Sequence, residues 1–199
     1  MVSEHLIHLF DEPRSLVDTV STYLFDAWQR GDAMLVAIRP GNWALTSAEL
    51  EARGCPVAEI IASGRLVVLD AATTLATFLI NGTPERERFI EHVGKVVRRL
   101  CGDESPCGLS VYGEMVDLLA SQENFIAAER LEALWNELAT HYSFRLLCGY
   151  SSPHFGDERT TRHLNRLCGE HTDSSAVSTD LLASWLRAER RSKFHIPNR

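Results

Sequence analysis

The sequence predicts an α/β domain: a central, mostly parallel sheet of about five or more strands, helices on both faces, and a helical tail at the C-terminus. Three observations point there. Short apolar runs of strand length alternate with stretches whose apolar residues repeat at helical spacing, the pattern of β-α-β units. Most of the strand candidates are continuously apolar, as strands covered on both faces are. The chain has 199 residues, 45% of them hydrophobic and 24% charged, enough to bury one substantial core and too few for two comfortable domains.

The first strand candidate is HLIHLF at 5–10, stopped by Asp11-Glu12-Pro13, a turn and helix-start signal. Leu16, Val17, Val20, Tyr23, Leu24 and Ala27 then share one helical face up to Gly31. AMLVAI at 33–38 is the second strand, closed by Arg39-Pro40-Gly41. A crossover helix between two buried strands implies a parallel pair. Helices are expected at 47–53 and 57–63, then a third strand, LVVL at 66–69, ending on Asp70. A longer helix over 83–100 turns Phe89, Val93, Val96, Val97 and Leu100 inward and ends where 102–106 breaks it.

A fourth strand at 108–112 runs into Gly113-Glu114 and is followed by helices at 115–121 and 124–142. The second of these places Phe125, Ala128, Leu131, Trp135 and Leu138 on one side. FRLLCGY at 144–150 is the fifth strand. Beyond it lies a polar stretch with a helix at 158–167, then an amphipathic helix at 179–190 and a basic tail carrying Arg187, Arg190, Arg191, Lys193 and Arg199.

Composition excludes several roles. A formal charge of −7 supplies no general field for nucleic acid, so direct nucleic-acid binding is not expected. No basic leader and no apolar run of spanning length is visible, so a cytoplasmic protein without a membrane partner is expected. Cys55, Cys101, Cys107, Cys148 and Cys168 are odd in number and lack CxxC spacing, which reads as reduced thiols.

Ligands of open α/β sheets bind outside the carboxyl ends of the strands. That rule selects Asp11, Arg39, Asp70, Glu114 and Tyr150. His8 joins them because it stands inside an apolar strand, where a buried imidazole needs a polar partner; that partner can equally be purely structural. No GxxxxGK[ST] follows any strand, so a phosphate loop is absent, although Arg39 with the amides of Gly41 and Asn42 is a weak anion site. No GxSxG elbow occurs. Cys148 with His154, and Cys168 and His171 with His163 and His195, are poor matches to a nucleophile pair and a zinc site. No catalytic residue, metal or cofactor is therefore expected.

In order and spacing, HLIHLFDEPRSLVDTVSTYL, GRLVVLDAATTLATFLINGTPERERF, VYGEMVDLLASQENFIAAERLEALWNEL and FRLLCGY resemble the MEDS family, named from methanogens, methylotrophs and a dichloromethane-responsive regulator. The resemblance covers residues 5–150 and continues into RLCGEHTDSS. It implies a sensory or signal-transduction domain related in fold to the RecA and KaiC class of ATPases, without a working phosphate loop. Family-typical positions are His8, Asp11, Asp70, Gly113, Glu114, Cys148 and Tyr150. On this reading residues 1–150 form the MEDS-like domain and 151–199 a helical extension with the basic tail. The family is often fused to histidine kinases or DNA-binding domains, and this chain is expected to stand alone.

The expected function is a non-catalytic sensory module that binds a small ligand or a regulatory protein at the strand-end cleft, through His8, Asp11, Arg39, Asp70, Glu114, Cys148 and Tyr150. Two alternatives stay open. One is a degenerate nucleotide-binding enzyme using Glu114 or His8 as acid or base. The other is a pure interaction protein that docks a histidine kinase or transcriptional regulator, with homo-oligomerisation also open.

Overall fold

A computed structural model describes residues 4–102, 108–169, 171 and 173–176. Its strands are β1 (His5–Phe10), β2 (Ala33–Ile38), β3 (Leu66–Asp70), β4 (Leu79–Ile80), β5 (Thr83–Pro84), β6 (Leu109–Gly113), β7 (Arg145–Ser151) and β8 (Asp173–Ala176). Six of them make one parallel sheet ordered β3-β2-β6-β7-β1-β8, and β4 with β5 forms a small antiparallel hairpin.

The helices are α1 (Pro13–Arg30), α2 (Pro40–Ala52), α3 (Val57–Ala62), α4 (Ala71–Phe78), α5 (Arg86–Phe89), α6 (Lys95–Cys101), α7 (Met115–Ser121), α8 (Phe125–Ala139) and α9 (Glu158–Gly169). A π turn at Ile90–Gly94 joins α5 to α6, and a 3-10 turn at Ser152–Phe155 follows β7. The α/β class, the parallel sheet and helices on both faces are as expected.

Alternation along the strands divides the interior into two cores. On one face Ile7, Leu35, Val111, Leu146 and Cys148 pack under α4, α7 and α8; Trp135 of α8 meets Phe89 edge to face at 5.2 Å. On the other, Phe10, Val36, Ile38, Tyr112 and Leu147 pack under α1, with Leu50 of α2 and Val57 and Ile60 of α3. Helix α1 opens with Pro13 in its first turn and ends on Gly31 at φ 81, whose amide reaches the carbonyls of Ala27 and Trp28.

Five features differ from the sequence expectation. Helix α2 starts at Pro40 rather than at residue 47, because a proline in the first turn needs no amide partner, so the Arg39-Pro40-Gly41 that closes β2 also opens the helix. Helix α4 follows β3 at once, capped by Asp70, whose Oδ1 accepts the Thr73 amide at 2.7 Å. The hairpin at 79–84 then shifts the start of the next helix to Arg86. Strand β8 lies in the stretch read as polar; it joins the sheet by pairing with β1. Cys101 is disulfide-bonded rather than a reduced thiol, whereas Cys55, Cys148 and Cys168 are free thiols. An odd cysteine count without CxxC spacing does not exclude one such bond. The helix expected at 179–190 and the basic tail lie outside the described residues.

Candidate functional site

Strands β2 and β6 are neighbours, yet the chain leaves them in opposite directions, from β2 outward to β3 and from β6 inward to β7. Helix α2 after β2 covers one face of the sheet and α7 after β6 covers the other. This reversal opens a crevice at the carboxyl edge, the place where ligands of such sheets bind. The residues that fill it come from the two strand ends. Glu114 continues β6, its amide donating to the Ala37 carbonyl of β2 at 2.9 Å, which aims its side chain at the start of α2.

Glu114 is 0% exposed and makes no capping bond to α7. Its Oε2 accepts from the Arg39 guanidinium at 3.0 Å and from the Arg39 amide at 3.2 Å. Its Oε1 accepts from Asn42 Nδ2 at 3.0 Å and from the Tyr112 hydroxyl at 3.1 Å. The second guanidinium nitrogen of Arg39 donates to Asp117 Oδ2 at 2.6 Å. Asp117 Oδ1 accepts the Ser151 amide at 2.7 Å, where β7 ends, and lies 3.2 Å from His154 Nε2. One arginine thus bridges two buried carboxylates, and a histidine completes the row.

The two acids are tuned apart. Burial raises the Glu114 carboxyl above its ordinary range despite Asn42 and Arg39. Burial also opposes ionisation of Asp117, but His154, the Ser151 amide and Arg39 outweigh it and hold that carboxyl low. His154 carries the row outward. It lines a cavity of about 300 Å³ with Phe125, Pro153, Asp157, Arg159 and Thr160.

A second polar cluster lies on the α8 side of the sheet. Glu132 of α8 is 0% exposed and accepts from the Tyr150 hydroxyl at 2.8 Å and the Cys148 thiol at 3.3 Å. His5 Nε2 and His171 Nε2 lie 3.1 and 3.4 Å from its two oxygens. Burial, reinforced by Glu132, pushes the Cys148 thiol and the Tyr150 phenol well up. His171 and His5 hold Glu132 below the usual carboxylate range against its burial.

The seven residues selected from sequence therefore separate. Arg39 and Glu114 meet at the crevice. Cys148 and Tyr150, two apart on β7, share the Glu132 cluster. Asp70 caps α4, and Asp11, exposed beyond β1, accepts a hydrogen bond from Ser152. His8 is buried inside β1 opposite Gly149, and burial lowers its imidazole to about 4. The guanidinium of Arg39, considered above for an anion, is engaged by Glu114 and Asp117.

The sequence reading did not single out Tyr112, Asp117, Glu132 or His5, weighed Asn42 only through its backbone amide and paired His154 with Cys148 rather than with Asp117. Two of them carried a signal: Asp117 stands one helical turn after Glu114, and Glu132 sits among Ala128, Leu131 and Trp135, where a carboxylate must find partners. His163, considered above for zinc, pairs with Glu129 at 2.7 Å.

Among the described residues no helix is long and apolar enough to cross a membrane. No curated protein and no solved structure matches the chain. A family model described as MEDS, the MEthanogen/methylotroph, DcmR Sensory domain, matches residues 4–167. With the match running from the first strand into α9, the chain belongs to the MEDS family of sensory domains.

Proposed function

We propose that the chain is a non-catalytic sensory module in which a small polar organic ligand enters the cavity beside His154 and changes the pairing of Arg39 with Glu114 and Asp117. The observation that carries this reading is the continuous row His154, Asp117, Arg39, Glu114, which links that cavity to the buried switch point between β2 and β6. Arg39 is the residue immediately before α2 and Asp117 lies in the first turn of α7, so a ligand that competes for His154 or Asp117 acts on helices from both faces of the sheet.

In this reading residues 1–150 supply Arg39, Glu114 and Asp117, the start of the 151–199 extension adds His154 and the far wall of the cavity, and the output contact is to a histidine kinase or transcriptional regulator, in the cytoplasm. Kinship with the RecA and KaiC class belongs to the same proposal and is supported by the all-parallel six-stranded sheet. Thermal-shift screening of small polar organics and nucleotides, with an ATP hydrolysis assay alongside, tests it. A stabilising organic compound whose effect is lost in His154→Ala and kept in Asp70→Ala is the expected result. Hydrolysis of ATP that depends on Glu114 would favour the enzymatic alternative.

A further inference from the structure

His5, Glu132, Cys148 and His171 bring two imidazoles, a carboxylate and a thiol together beneath β1 and β7. The outward nitrogen of each ring meets an acceptor: His5 Nδ1 lies 2.8 Å from Asn136 Oδ1, and His171 Nδ1 lies 2.6 Å from the Leu167 carbonyl. These contacts fit a hydrogen on Nδ1 of each ring. Their Nε2 atoms face Glu132. A neutral imidazole offers a lone pair there, and an ionised carboxylate has only lone pairs, so a cation between them suits both.

Charging both rings would instead set two cations side by side, with centroids 4.0 Å apart and side chains 6% and 0% exposed. A single divalent ion supplies the positive charge with both rings neutral. Distances agree. Cys148 Sγ lies 3.3 Å from Glu132 Oε2 and 3.5 Å from His5 Nε2, and all four donor atoms fall within 4.8 Å of one another. A tetrahedral ion with bonds of about 2.0–2.3 Å holds its ligands roughly 3.3–3.8 Å apart.

We propose that His5, Glu132, Cys148 and His171 bind one thiophilic divalent transition-metal ion, zinc being the ion this nitrogen, sulfur and oxygen set fits best. Asn136 and the Leu167 carbonyl fix the two rings from behind, and the Tyr150 hydroxyl orients the Glu132 carboxylate. Binding displaces the thiol hydrogen that Cys148 now donates to Glu132, and that proton leaves to solvent as the sulfur becomes a thiolate ligand. The ion then ties β1, β7 and α8 to the chain that follows α9, next to β8.

Cobalt(II) titration of the full chain, stripped with a chelator under conditions that leave it folded by circular dichroism, tests the proposal. One equivalent of cobalt should bind with a thiolate charge-transfer band and the visible bands of a tetrahedral site, and zinc should remove both. The bands should vanish in Cys148→Ser and persist in Cys55→Ser and Cys168→Ser. Tyr150→Phe should weaken binding about tenfold. A folded wild-type chain without the thiolate band overturns the proposal, as does a band that survives Cys148→Ser. Should Cys148→Ser fail to fold, the band in a Cys55→Ser/Cys168→Ser double variant decides: its retention supports Cys148 as the ligand and its loss overturns the assignment.

Discussion

At the scale of single residues, burial decides what each titratable group does. His8 is neutral in the folded chain down to about pH 4, whereas an exposed histidine titrates near 6.5. Its folded value is lowered, so the stability it preserves is complete above about pH 6.5 and is lost as pH falls toward 4, by about 3 kcal/mol. Denaturant melts between pH 7 and 4 should show this loss in the wild type, and His8→Gln should flatten it. Glu114 and Asp117 offer a contrast within one network. Because burial raises the Glu114 carboxyl while its partners hold Asp117 low, neutralising Glu114 removes an ion that is already disfavoured. Glu114→Gln should cost no more than about 1 kcal/mol, and Asp117→Asn should cost more, about 2 to 3 kcal/mol, in equilibrium unfolding. Arg39→Leu, which leaves both carboxylates without their shared cation, should be the most damaging of the three, at about 3 kcal/mol or above.

At the scale of elements, the strands were legible because β1, β2, β3, β6 and β7 are apolar runs bounded by turn residues, and the run lengths alone place them within a residue or two. Short or polar elements were not. Helix α4 is eight residues long and starts directly on the cap that ends β3, so no loop announces it, and β8 is a polar DSSA whose strand identity comes from its pairing with β1. Tertiary contact of the same kind hides the site. Cys148 and Tyr150 were picked out as strand-end residues, but only the fold shows that they face Glu132, with Gly149 between them turned to the opposite core. That glycine is required there: a Cβ on it would lie 2.8 Å from the Tyr112 hydroxyl oxygen and 3.2 Å from Leu16 Cδ1. Gly149→Ala should destabilise by about 1 to 3 kcal/mol. Thermal melts of the double variant with Tyr112→Phe, which removes the closest atom, should recover part of the loss.

For the whole molecule, the order β3-β2-β6-β7-β1-β8 sets the carboxyl ends of β2 and β6 side by side at the point where the chain reverses direction. A sheet of this kind ordinarily leaves that crevice for a ligand. Here an ion-paired row occupies its floor and leads through His154 to an open cavity, and the proposed function makes binding at the cavity and rearrangement at the switch point two ends of that row. The strand-end rule was available from sequence, and it found Arg39 and Glu114. Strand order was not available, because consecutive runs do not say which strands are neighbours, and it is strand order that joins Asn42, Asp117 and His154 to them. The most direct measurement is the amide NMR spectrum of the chain with and without a saturating concentration of a stabilising compound from the thermal-shift screen. The account predicts that the shifts concentrate at His154, Ser151, Asp117, Glu114 and Arg39, and that Arg39→Leu confines them to the cavity residues. Shifts that leave Asp117, Glu114 and Arg39 unmoved in the wild type would contradict it.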